Sequence, residues 1–236
     1  MSFSGVRKMI FATGDMHGDY DLFSQKKFKK INDGDTLLVC GDFGFIWTGD
    51  SKERKILDKL SRKKYNICFV DGTHENFDLL DKFPVVDFAG GRAHKIRENI
   101  YHLMRGQVFE IEGEKIFAMG GGESPDIDMR GDSAISADET PSREQMREGA
   151  RNLERYKFKV DYVITHEPAQ KIKNFLKLKD GEALRFSGLN AYFQELSENC
   201  EYTRWFFGSL HEDKFVSPSQ IALFQNLVNV QTGEIL

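Results

Sequence analysis

Short apolar runs closed by Gly, Asp or Pro recur along the chain and predict its strands. They occupy residues 8–13, 36–40, 66–70, 115–119, 162–165, 204–207 and 220–225, and are rich in β-branched and aromatic residues. Their hydrophobicity is nearly continuous, which predicts strands buried on both faces. Between them the spacing becomes helical. Ile56, Leu57 and Leu60 follow a charged start, and Leu189, Tyr192, Phe193 and Leu196 stand behind a possible Ser187 cap. Thr140-Pro141 predicts a further helix start with Pro141 at the first helical position, and Met146, Leu153 and Tyr156 repeat along one face. The early order of strand, helix, strand, helix, strand favours a parallel sheet. Residues 108–111 and 115–119 read instead as a hairpin around Glu112-Gly113, so the sheet is expected to be mixed. Residues 126–140 lack periodicity and predict a long surface loop, a lid over a neighbouring crevice.

Composition narrows the class. A chain of 236 residues with 40% hydrophobic content can bury one sizeable core, so a single domain over 1–236 is expected. The net charge of -4 and the pI near 5.9 argue against a general nucleic-acid binder, though not against a locally positive cleft. No run reaches membrane-spanning length, and the first sixteen residues are better spent on a strand than on a signal peptide. Cys40, Cys68 and Cys200 lack metal or redox spacing, so they read as reduced thiols and the expected compartment is the cytoplasm. The lysines at 26, 27, 29 and 30, and Arg62, Lys63 and Lys64, read as solvated faces.

Candidate chemistry sits where the apolar runs end. Gly14-Asp15-Met16-His17-Gly18, Gly41-Asp42-Phe43-Gly44, Gly72-Thr73-His74-Glu75, Thr165-His166 and Gly208-Ser209-Leu210-His211 all follow predicted strands, with Asp71 and Gly120-Gly121-Gly122 beside them. In an α/β domain the loops after the strands' carboxyl ends converge on one crevice, so these Asp and His residues are expected to meet there and hold metal. Asp15 and His17, two apart, are expected to share a side through strand alternation. Four of the six histidines fall in these loops, whereas His94 and His102 do not and read as structural. Gly120, Gly121 and Gly122 fit a tight turn better than a phosphate loop. Arg92, Arg105 and Arg130 are each candidate phosphate ligands, with nothing to choose between them.

The ordered series Asp-x-His-Gly, Gly-Asp, Gly-x-His-Glu, Thr-His and Gly-x-x-His, from Asp15 to His211, resembles the calcineurin-like metallophosphoesterase family. The resemblance implies a sandwich of two mixed β-sheets flanked by helices in four layers, with a metal centre at the strand ends. It implies hydrolysis of a phosphomonoester or phosphodiester by a metal-bound hydroxide. Carried over by position, Asp15, His17, Asp42 and His211 would hold one metal, and Asp42 would bridge to a second held by His166. The cofactor would be one or two divalent transition metal ions, Mn, Fe or Zn, a bridged pair lying about 3.5 to 4 Å apart. His74 matches the general-acid position. The substrate would be a small phosphoester.

Two departures weaken the second site. Thr73 stands where the family usually has Asn, and Ser209 where it has His, so both positions offer neutral hydroxyls, poorer ligands for a transition metal. The Arg that follows the second motif in the family's protein phosphatases is absent, since Phe43-Gly44-Phe45-Ile46-Trp47 stands there, which argues against a phosphoprotein substrate. The competing reading is a noncatalytic binding module that keeps one structural metal. A nuclease lacks a basic signature. Substrate-binding residues, oligomeric state and the choice of monoester or diester are not legible.

Overall fold

In the computed structural model, residues 7–123, 138–178 and 187–236 are described. The expected lid at 126–140 therefore lies outside the described residues except for its last three positions.

Two mixed sheets face one another. The first runs in the order β13-β1-β2-β3-β6-β5-β4, with β1 (Ile10–Thr13), β2 (Thr36–Cys40), β3 (Asn66–Val70) and β6 (Ile100–Leu103) mutually parallel. β4 (Val85–Phe88), β5 (Gly91–Arg97) and β13 (Val228–Asn229) pair antiparallel at its edges. The second has the order β11-β12-β10-β9-β8-β7. Here β8 (Glu114–Met119), β9 (Tyr162–Thr165), β10 (Arg204–Phe207) and β12 (Gln220–Ala222) are parallel, while β7 (Gln107–Ile111) and β11 (Lys214–Ser217) are antiparallel edges.

The alternation of side chains along each central strand builds the layers. Ile10, Ala12, Leu38, Cys40, Cys68 and Val70 turn inward to meet Phe109, Ile116, Ala118, Ile164 and Phe206 of the other sheet. Phe11, Leu37, Val39, Ile67 and Phe69 turn outward against Leu57 and Leu60 of α1 (Ser51–Leu60). On the opposite outer face, Phe117, Val163, Trp205 and Phe207 pack on Leu153 of α3 (Arg143–Arg155), Leu176 of α4 (Gln170–Lys177) and Phe193 of α5 (Gly188–Asn199). A one-turn helix, α2 (Phe77–Leu80), follows β3. The result is helix, sheet, sheet, helix, and each central strand is buried on both faces as its unbroken hydrophobicity predicts. Truncating a ring here, as in Phe117→Ala, removes contacts in a close-packed layer and costs about 3 to 5 kcal/mol.

The local signals behave unevenly. The Glu112-Gly113 hairpin forms, with φ of 52° and 81° at its two central residues, as a two-residue turn of the primed kind requires. Ser187 caps α5 by accepting from the Asn190 N–H. Pro141, however, lies outside α3. The helix is started by Ser142, whose hydroxyl accepts from Gln145 N while the Gln145 side chain accepts from Ser142 N, a reciprocal capping box that places the boundary after the proline. The first strand begins at Ile10 rather than residue 8, and β12 ends at Ala222 rather than residue 225. β4, β5, β6, β11, β13 and α4 carried no apolar run long enough to predict them. β4 and β11 are half exposed at sheet edges and β13 has two residues, so their stability comes from pairing with neighbours. Among the described residues no helix is long and apolar enough to cross a membrane.

Candidate metal centre

The carboxyl ends of β1, β2 and β3 in one sheet and of β9 and β10 in the other open onto a common crevice, and each delivers one motif. Asp15 and His17 follow β1, Asp42 follows β2, Thr73 and His74 follow β3, His166 follows β9, and Ser209 and His211 follow β10. The turns are sharp. His17, Asp42, Ser209 and His211 have φ of 46°, 44°, 68° and 49°, half of the eight described non-glycine residues with positive φ. Such backbone conformations cost free energy and concentrate where function fixes a side chain. His17 thus reaches the crevice through a left-handed turn beyond the strand, not through strand alternation as expected. Its N–H and that of Met16 donate to Asp42 O at 2.8 and 3.0 Å, which ties the first two motifs together.

Two glycines explain the recurring Gly in these motifs. A Cβ at Gly72 would lie 2.0 Å from Asp42 Oδ1, and one at Gly208 would lie 2.2 Å from Asp15 Oδ1. Only a residue without a side chain lets these loops close on the carboxylates.

The side chains of these loops come close to one another at the crevice. His211 Nε2 and His166 Nδ1 each stand 3.4 Å from an Asp15 oxygen, and His166 Nε2 stands 3.8 Å from Asp42 Oδ1. His17 Nε2 and His211 Nε2 approach to 3.0 Å, with His17 Nδ1 at 3.9 Å from Asp42 Oδ2. Among the described residues, three sets have ligand atoms mutually within 4.8 Å: Asp15, His17 and His211; His17, Asp42 and His74; Asp15, Asp42 and His166. Asp42 belongs to two of them. Mixed imidazole and carboxylate donors on one point fit a divalent transition metal such as Mn, Fe or Zn.

Electrostatics runs in the same direction. Burial alone would raise the Asp42 carboxyl, but His166 and the hydrogen bonds from His74 hold it well below the usual carboxylate range. Burial would lower the His166 imidazole, yet the Asp42 and Asp15 carboxylates outweigh it and push it up to about 10. His74 is oriented twice by Asp42: its backbone N–H donates to Oδ1 and its ring Nδ1 lies against Oδ2, both at 2.8 Å.

Thr73 and Ser209 have neighbours of their own. Thr73 Oγ1 lies 3.2 Å from His74 Nδ1. Ser209 Oγ donates to Glu167 Oε1 at 3.1 Å, and its backbone N–H donates to Asp15 Oδ2 at 3.0 Å. Glu167 was not singled out in the sequence. It is buried and held by Lys173 Nζ at 2.6 Å and Asn190 Nδ2 at 3.1 Å, a polar bracket behind the Gly208–His211 turn. The adjacency to His166 was the one available signal.

Asp71 does not join the metal set. Its Oδ2 accepts from Arg105 Nε and Nη2 at 2.9 and 2.6 Å, and its Oδ1 faces His102 Nε2 at 3.0 Å. His102 Nδ1 in turn meets His94 Nδ1 at 2.9 Å. Arg105 is thereby buried and spent, donating also to Asp138 O and Glu139 O, while Arg92 pairs with Glu148 at 2.6 Å. Neither is placed to bind a substrate phosphate, and Arg130 lies outside the described residues. Gly120 makes the turn beside Asp71, where a Cβ would meet Asp71 Oδ1 at 2.3 Å.

A two-sheet α/β sandwich with a carboxylate and imidazole crevice at its strand ends defines a candidate metallohydrolase. Residues 9–213 match the calcineurin-like phosphoesterase family, and the chain belongs to it. A comparison with curated proteins finds no match.

Proposed function

We propose that the protein hydrolyses a small phosphomonoester or phosphodiester with one or two divalent transition metal ions held in this crevice, Asp15, His17, Asp42 and His211 serving one ion and Asp42 and His166 the other. The convergence of two carboxylates and three imidazoles from four separate loops, in overlapping sets whose ligand atoms lie within 4.8 Å of one another, is the observation that carries it. The bound cations would supply an acidified water and neutralise the phosphoryl oxygens. Asp42 aligns His74, and His74 delivers a proton to the departing oxygen. With Nδ1 engaged by Asp42, the proton to be given sits on Nε2. The buried reduced state of all three cysteines supports a cytoplasmic setting.

A noncatalytic binding module with one structural metal is favoured by a single feature, the hydroxyls of Thr73 and Ser209 in place of stronger ligands. Assays of an aryl phosphate monoester and a diester with added Mn distinguish the two. Turnover of either ester, lost in Asp42→Asn, is the expected result; no turnover on both, with metal bound, supports the binding module.

A further inference from the structure

Beside the crevice opens a cleft of about 410 Å³, a size typical of small-molecule sites. His17 and His74 line it together with Trp47, Ile56, Asp50 and Lys52. Trp47 is 49% exposed, although its neighbours Phe43, Phe45 and Ile46 are buried and the second tryptophan, Trp205, is 0% exposed. An indole left half in water at the mouth of a catalytic crevice is an unsatisfied apolar surface.

The loop that carries Trp47 is stiff. The Glu53 carboxylate accepts the backbone N–H groups of Trp47, Thr48 and Gly49 at 2.7 to 3.1 Å, and Asn76 Nδ2 donates to Trp47 O at 2.7 Å. The ring is therefore presented by a fixed backbone, which reduces the ordering cost of binding against it. The same contacts remove competing anion sites. Glu53 fills the concave set of N–H groups, and Asp50 fills the first turn of α1 by accepting from Lys52 N and Glu53 N at 2.7 and 2.9 Å. A phosphoryl group then has its partners in the crevice, and what extends along the cleft is the organic part of the ester. The carboxylates of Asp50 and Glu53 set against Lys52 make no basic track for a polynucleotide.

We infer that Trp47 is a specificity-determining residue, a stacking wall for a flat heterocycle, and that the substrate is a nucleoside monophosphate or a small nucleotide ester. This rests on the phosphoesterase reading for its chemistry, but the stacking contact is measurable without turnover. The phosphoryl group enters at His17 and His74, and the base lies on the indole.

The test uses the Mn-loaded protein with adenosine 5′-monophosphate and glycerol 3-phosphate as probes. Trp47 and Trp205 are the two tryptophans of the chain, so quenching of the exposed one reports stacking directly. Adenosine 5′-monophosphate should quench the emission saturably, glycerol 3-phosphate should not, and the response should vanish in Trp47→Phe, which leaves only Trp205. In kinetics, Trp47→Ala should raise KM for adenosine 5′-monophosphate roughly ten- to a hundredfold, with glycerol 3-phosphate shifted by less than about twofold and Trp47→Phe close to wild type. No saturable quenching, quenching that survives in Trp47→Phe, or an equal loss for both substrates would overturn the inference. Quenching without hydrolysis of either ester would overturn the catalytic reading and leave the stacking site standing.

Discussion

Two clusters of aspartate and histidine lie at adjacent strand ends, one buried and one open to the crevice, and they are chemically opposite. After β3, Asp71 is bound to the guanidinium of Arg105 and to His102, so its charge is answered inside the protein. After β1 and β2, Asp15 and Asp42 form ion pairs with histidines alone among the described residues. The first cluster is a closed salt bridge, complete without a ligand. The second gathers two carboxylates around imidazoles, among them a His166 that those carboxylates push up to about 10, and a cation entering the crevice would take the place of its proton. A strand-end Asp with two nearby His is therefore not itself a metal site; the presence or absence of an arginine decides.

Substitutions at the two aspartates should separate the clusters most sharply. Asp42→Asn removes a carboxylate common to two of the three ligand sets, so activity on an aryl phosphate should fall at least about a hundredfold together with metal content. His74→Ala should lower turnover by a similar about 10²-fold with metal content retained, since its role is proton donation; equal loss of metal would make it a ligand instead. Asp71→Asn should leave metal content near wild type but destabilise the fold by about 3 to 5 kcal/mol, because it strands the buried Arg105 charge. Denaturant unfolding of the apo proteins checks that figure. Metal loss in Asp71→Asn without a stability change would erase the contrast.

Acid should test the closed cluster more gently. Burial, reinforced by His102, pushes His94 down to about 4 from its ordinary 6.5. The folded state then refuses a proton that the unfolded chain accepts, so stability should decline as pH falls from about 6.5 to about 4. Thermal unfolding across that window should show the slope, and His94→Gln should flatten it.

The smallest effect is expected from Thr73→Asn with Ser209→His. The new amide and imidazole should raise Mn stoichiometry, while loss of the Ser209–Glu167 hydrogen bond costs about 1 kcal/mol. Two tightly held ions in the wild type would contradict the weakened second site.

The sequence made the parallel strands and the crevice legible for one physical reason. Strands buried on both faces are uninterrupted apolar runs, and the loops after them carried Asp15, His17, Asp42, His74, His166 and His211 in plain view. The edges were silent because β4 and β11 show half-exposed faces and draw their stability from neighbours. Asp71 and Asp42 looked alike in sequence, since Arg105 approaches Asp71 from 34 residues away. The Glu167–Lys173–Asn190 bracket was hidden likewise, its members being joined across two helices and a loop.

Binding of Mn to the apo protein, followed by isothermal titration with elemental analysis of the saturated product, tests the central claim most directly. The open cluster should take up at least one ion per wild-type chain, and Asp42→Asn should lose that uptake while Asp71→Asn keeps it. A wild-type chain that binds no Mn, or one whose uptake survives in Asp42→Asn, would contradict the account.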